Sequence, residues 1–310
     1  MKLEYKNEYT DKEKEQITSI GPEGSGCDVE IPNNILVINA DIFSHCENLK
    51  KVELPSNIMN ICANAFRCCT SLEKLILPNN ITEIGDSAFD DCFLLKEVIL
   101  PDSVQILGRN VFNYCESLEN VKLSNDLQYI DCSTFFKCNS LKEIKIPSSV
   151  KIIDANAFLG CHSLENVILQ EGLEMIGDSA LSNSLIKHIN LPNSLKTIGT
   201  GAFYDTELEE ITIPSSISII NERAFYNCSK LKKAVIKAKC ALQKDIFSNF
   251  SNLEKVYITK ESYNLSSKFV EEYGDKIEII RPKTLDELLD EGKSLKELSK
   301  MYKENNEIIR

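Results

Sequence analysis

Apolar residues fall along this chain in short pulses, and the pulses come back at a fixed distance. Residues 71–92 read SLEKLILPNNITEIGDSAFDDC, preceded by ENLKKVELPSNIMNICANAFRCC and followed by FLLKEVILPDSVQILGRNVFNYC. Within one unit, L-x-x-V-x-L-P predicts a short strand. Leu72, Leu75 and Leu77 point inward, and Lys74 and Ile76 point outward. Pro78 closes the strand because proline has no N–H to give to a ladder. The following ITEIGDSAF brings Ile81 and Ile84 inward, turns at Gly85-Asp86 and returns Ala88 and Phe89 to the core.

The register holds along most of the chain. One column runs Phe43, Phe66, Phe89, Phe112, Phe135, Phe158, Leu181, Phe203, Phe225 and Phe247, with steps of 23 residues that drop to 22 after Leu181. A second runs Pro32, Pro55, Pro78, Pro101, Ser124, Pro147, Gln170, Pro192, Pro214, Lys237 and Thr259. A period in this range means stacked supersecondary units, none of which can bury its apolar face alone. Stacking sets equivalent strands about 4.8 Å apart in a long parallel sheet, and eleven units make a solenoid on the order of 50 Å long. The recurrent Phe becomes an interior aromatic stack.

The combined pattern LxxVxLPxxIxxIGxxAFxxCxxL resembles the BspA-like leucine-rich repeat over residues 17–282. ITSIGPEGSGCDVEIP matches the IxxIG portion followed by a shortened return. VYITKESYNLSSKFVEEYGDKIEIIRP resembles the family's terminal unit, in which a helix replaces the last turn before a final strand. The resemblance implies a right-handed leucine-rich repeat solenoid with parallel strands on one face and 22–23-residue repeats. It implies a non-enzymatic, adhesin-like binding scaffold, often at a bacterial surface. The expected organisation is an N-terminal cap with a partial repeat (1–26), a solenoid of about 11 repeats plus the terminal unit (27–282), and a helical hairpin tail (283–310).

A net charge of −12 removes the basic footprint that wholesale binding to nucleic acid or anionic membranes needs. No apolar run approaches a membrane span. The N-terminal MKLEYKNEYTDKEKEQITSIG is charged where a signal peptide needs its apolar stretch. Twelve cysteines without such a signal suit free thiols in a reducing compartment. The expectation is a cytoplasmic protein as the sequence stands, and a cell-surface one if a leader has been removed.

Seven cysteines follow the Phe column by three residues: Cys46, Cys69, Cys92, Cys115, Cys138, Cys161 and Cys228. A metal or redox ladder is one reading of them. The other is a buried small side chain whose thiol donates weakly to backbone, and it is favoured here. Cys68 and Cys69 are adjacent, without the spacing of a zinc knuckle, and parallel side-chain vectors suit disulfides poorly. His45 and His162 lie five repeats apart, and His188 is expected on the outward face of a strand. No nucleophile elbow, phosphate loop or H-E-x-x-H motif occurs, and Asp90-Asp91 and Glu209-Glu210 read as solvated edges. No catalytic, metal or cofactor site is expected.

The outward positions of the strands are the surface a partner would meet, because solenoids of this kind bind along their strand-lined concave face. The residues picked out there are Lys74, Ile76, Glu97, Ile99, Asn120, Lys122, Lys145, Ile168, His188, Val235 and Tyr257. Neighbouring exposed apolar side chains such as Ile76 and Ile99 favour protein contact. They also suit a strand for its own sake. The expected ligand is a protein, with a glycan as second choice.

After Pro282 the period stops. TLDELLDEGKSLKELSKMYKENNEIIR spaces Leu285, Leu288 and Leu289, then Leu295, Leu298 and Tyr302, as on two short helices with capping boxes at Thr284/Glu287 and Ser294/Glu297. An amphipathic cap on the last coil is one expectation. The stretch also resembles the helix-turn-helix of resolvase-like and transposase-like proteins, which implies a DNA-associated alternative. Lys303 stands where that motif has a turn glycine, and basic and acidic residues balance over 281–310.

Overall fold

The computed structural model describes residues 28–280, apart from 32, 244 and 249–251. The N-terminal cap and the 283–310 tail, with its helix-turn-helix resemblance, lie outside the described residues. Most turns of the solenoid contribute one longer and one very short strand. The longer series is β1 (Asp28–Glu30), β3 (Lys51–Glu53), β5 (Lys74–Ile76), β7 (Glu97–Ile99), β9 (Asn120–Lys122), β11 (Glu143–Lys145), β13 (Asn166–Ile168), β16 (Glu210–Ile213), β18 (Lys233–Ile236), β19 (Lys255–Ile258) and β20 (Ile277–Ile279). The two-residue series is β2 (Val37–Ile38), β4 (Asn60–Ile61), β6 (Glu83–Ile84), β8 (Ile106–Leu107), β10 (Tyr129–Ile130), β12 (Ile152–Ile153), β14 (Met175–Ile176), β15 (Thr197–Ile198) and β17 (Ile219–Ile220).

Every pairing is parallel and keeps the repeat register, as in Lys51 beside Lys74 or Ile84 beside Leu107. The single long sheet expected from the sequence is instead a row of shorter ones. The longer strands group as β1-β3-β5, β7-β9, β11-β13 and β16-β18-β19-β20. The short strands form two ladders that run beside it, and these were read from sequence only as inward positions and a turn. Between the two series the backbone makes inter-turn bonds of its own, such as Phe66 N to Ala88 O at 2.8 Å and Phe89 N to Val111 O at 2.9 Å.

The core is the inside of the coil. Ile81, Ile84, Ala88 and Phe89 are fully buried, and so are their counterparts in neighbouring turns. The Phe column stacks as expected, with centroids 5.0 Å apart for Phe43–Phe66, 5.2 Å for Phe66–Phe89 and 5.6 Å for Phe89–Phe112. The rings are nearly parallel, with 2° between the planes of Phe66 and Phe89. Ring spacing wider than the strand spacing is the offset geometry that aromatic quadrupoles prefer. Leu181 interrupts the stack, which resumes at Phe203–Phe225 with 5.2 Å between centroids.

The C-terminal unit follows the sequence expectation. Helices α1 (Lys260–Leu265) and α2 (Ser267–Tyr273) and a 3-10 turn (Gly274–Lys276) replace the last turn before β20. Thr259 caps α1 by accepting from Ser262 N, and Ser262 Oγ donates back to Ala238 O of the preceding turn at 2.8 Å. Phe269 of α2 extends the aromatic stack, with 6.1 Å between its centroid and that of Phe247.

Candidate partner-binding face

The cysteine column is built into the core. Cys69, Cys92, Cys115, Cys138 and Cys161 are fully buried, and each Sγ donates to the carbonyl of the Phe in the preceding turn. The distances are 3.1 Å for Cys69 to Phe43 O and 3.3 Å for Cys115 to Phe89 O. Burial pushes the thiols of Cys69 and Cys161 up to about 12, and holds those of Cys92, Cys115 and Cys138 well above their ordinary value. A thiol kept protonated is neither a nucleophile nor a metal ligand. Where the column changes to Ser184 and Thr206, each hydroxyl turns to its own coil instead, donating to Leu181 O at 2.8 Å and to Phe203 O at 3.1 Å. Among the described residues no group of His, Cys, Asp and Glu is placed to hold a metal ion, and no helix is long and apolar enough to cross a membrane.

Asp90 departs from the expected solvated edge. It is 6% exposed, accepting from Arg67 Nε at 3.1 Å and from Asn113 Nδ2 at 2.9 Å, each one turn away. Burial raises its carboxyl above the usual range, and neighbouring Asp91 adds to the effect against the pull of Arg67. This is a structural bracket between three turns. Asp91, Glu209 and Glu210 are accessible.

The longer strands all turn the same residues outward. Lys74, Glu97, Asn120, Lys122 and Lys145 are exposed, and Ile76, Ile99 and Ile168 are exposed by 43%, 53% and 46%. Val235 and Tyr257 are half-buried, being paired with each other across β18 and β19. Lys233 leans over the Tyr257 ring, 5.6 Å from its centroid. His188 is exposed, but not on a strand, since no residue from 184 to 192 joins one. The turn there is a residue short: Cys-x-x-Leu at Cys161–Leu164 becomes Ser184-Leu185-Ile186.

Two hollows open on this face. One, of about 370 Å³, lies beside Ile99 and is bordered by Glu97, Asn120, Lys122, Glu143 and Lys145. The other, of about 360 Å³, lies at the interruption and includes His188 and Val235. Of the sequence-selected residues, Glu97, Ile99, Asn120, Lys122 and Lys145 border the first hollow and His188 and Val235 the second, while Lys74, Ile76, Ile168 and Tyr257 line neither.

A second apolar column went unnoticed in the sequence. It consists of the outward residues of the short strands, with Ile106, Tyr129 and Ile219 exposed by 56%, 54% and 51% and Ile152 and Met175 half-buried between them. Its signal is the residue before each inward Ile of the I-x-x-I-G motif, visible only once that motif is read as a strand.

Comparisons with known proteins agree with the geometry. The BspA type leucine rich repeat region matches over residues 25–135, 82–206 and 152–275. No curated protein sequence matches the chain. A leucine-rich repeat protein from Bacteroides ovatus is 25% identical, with 82% of this chain and 84% of that one covered and a TM-score of 0.64. The T. pallidum leucine rich repeat protein is 31% identical over 52% of this chain and 77% of that one, with a TM-score of 0.48. The pneumococcal vaccine antigen PcpA is 23% identical over 76% of this chain and 68% of that one, also with a TM-score of 0.48. Repeat pattern, parallel solenoid and family match coincide over nearly the whole described chain, which belongs to the BspA-type leucine-rich repeat family.

Proposed function

We propose that this protein is a non-enzymatic scaffold that binds a protein partner along the face lined by its longer strands. The observation that carries the reading is the pair Ile76 and Ile99, one turn apart and both about half exposed, beside a charged hollow. Apolar side chains next to one another on an otherwise charged surface gain most when a partner covers them. The scaffold holds them on strands fixed by core packing, so little ordering entropy is lost on binding. The hollows favour this face over the apolar column on the short strands. Membership in a family of adhesin-like relatives supports a macromolecular ligand.

The test replaces both isoleucines. Ile76→Asp/Ile99→Asp puts charge into the contact while leaving exposed positions exposed, so the melting temperature should stay near that of the parent. A protein enriched on the parent chain and purified should bind the double variant at least about tenfold more weakly. Equal affinity for parent and variant defeats the reading. Unfolding of the variant would show that these residues belong to the core.

A further inference from the structure

The hollow at the interrupted turn has a chemistry unlike the apolar pair, and it deepens the reading of this face by naming a second ligand class. Small-molecule sites are usually lined by hydrophobic and aromatic side chains with a few polar groups, in volumes from about 300 Å³ upward. This one has about the minimum volume, about 360 Å³, and the opposite lining. Asn190, Thr212 and Ser215 supply neutral donors and acceptors from neighbouring turns, all accessible, and Asn193 adds its amide, whose Nδ2 also donates to Glu171 Oε1 at 3.4 Å. His188 and Glu210 add an imidazole and a carboxylate. The backbone contributes as well. Residues 188–191 form no strand, and among the described residues no backbone hydrogen bond links them to the turns on either side. Their N–H and C=O groups thus take no part in a ladder, where the paired strands of the longer series spend theirs on one.

Several neutral donors and acceptors close together match a ligand that carries both, and vicinal hydroxyls do so. One wall is less polar. Val235, half-buried, lines the hollow and gives an apolar edge against which the C–H face of a pyranose ring can rest. Lys233 and Lys237 complete the border, and among the described residues neither forms an ion pair with a carboxylate. Two such cations beside a single carboxylate, on a chain of net charge −12, make a local site for a negative substituent. We infer that this hollow is a subsite for an acidic sugar, its hydroxyls held by Asn190, Asn193 and Thr212 and its anionic group by Lys233 and Lys237.

Ligand-observed NMR and calorimetry on the full chain test the inference with three probes: glucuronic acid, glucose and inorganic sulfate. Glucuronic acid should bind in the millimolar range, and glucose about tenfold more weakly because it lacks the charge-assisted contact. Lys237→Ala should remove most of that preference, and Thr212→Ala should weaken both sugars. Sulfate that displaces glucuronic acid with the same affinity would reduce the hollow to an unspecific anion site and overturn the assignment. So would the absence of any sugar binding, or binding that Lys237→Ala and Thr212→Ala leave untouched. The Ile76→Asp/Ile99→Asp variant should bind glucuronic acid like the parent. Loss of protein partner with sugar binding retained, or the reverse, therefore separates failure of this subsite from failure of the protein-binding reading.

Discussion

Phe112 shows how much one side chain carries in a stacked fold. It is fully buried, and its ring centroid lies 5.6 Å from both Phe89 and Phe135. Phe112→Ala removes two ring contacts and leaves a cavity that close-packed turns cannot refill, so denaturant unfolding should report a loss of about 3–5 kcal/mol. The cysteines beside it make a different, pH-dependent contribution. Their thiols titrate near 9.0 in an unfolded chain and higher in the fold, at about 11 for Cys228 and about 12 for Cys69 and Cys161, because burial disfavours the thiolate. The folded state thus keeps protons that the unfolded state gives up. The stabilisation is complete below about pH 9 and drains away as pH rises toward the folded values, by about 1.4 kcal/mol per pH unit for each thiol. Under reducing conditions the melting temperature should fall steeply between pH 9 and pH 11. The double variant Cys115→Ala/Cys138→Ala should start less stable and lose less over the same interval. Parallel slopes for the two proteins would contradict neutral buried thiols.

At the scale of the single turn, legibility in the sequence divides by distance along the chain. The inward positions of both strand series, the Phe stack and the replacement of the last turn by helices were all readable, because each is set by apolar spacing. The conformation of the returning segment was not. Among the described residues each returning segment from Asp41 to Asn227 uses left-handed backbone, with φ of 54° at both Ser87 and Lys137 and 55° at Tyr114 and Arg223. Glycine, asparagine and aspartate announce that conformation in a sequence, but lysine, tyrosine and arginine do not. They are held there by the adjacent coil, as Lys137 N bonds Leu159 O at 2.9 Å and Tyr114 N bonds Phe136 O at 2.9 Å. Asp90 was misread as a solvated edge for the same reason, since its partners lie 23 residues away on either side. The candidate face was legible as a row of outward residues. Its hollows were not, because the one at His188 exists only where a shortened turn leaves the ladder.

The whole molecule is a nearly one-dimensional array, so its stability is close to a sum over turns and the interfaces between them. The interface at the interruption is the poorest of those described. Two contributions found elsewhere are missing together: the ring stack, broken by Leu181 between Phe158 and Phe203, and the pairing of longer strands, absent from 184 to 192. What still crosses is the short-strand ladder, with Met175 beside Thr197 and Ile176 beside Ile198, the returning-segment bonds such as Leu181 N to Ala202 O at 2.9 Å and Asn183 N to Tyr204 O at 2.8 Å, and the packing of Leu181 itself, which is fully buried. An array with one weak coupling opens there first, because breaking it sacrifices the least free energy per turn released. Hydrogen exchange followed by mass spectrometry at rising denaturant should therefore resolve two blocks that lose protection at different concentrations, with the boundary inside residues 184–192. Peptides from 143–169 should move with the N-terminal block and those from 210–236 with the C-terminal one. A single transition that releases all these peptides together would mean that the short-strand ladder and the returning-segment bonds couple the array fully. If the two blocks do separate, a ligand in the hollow at His188 touches both of them through Asn190 and Lys233, and sugar binding should draw the two transitions together.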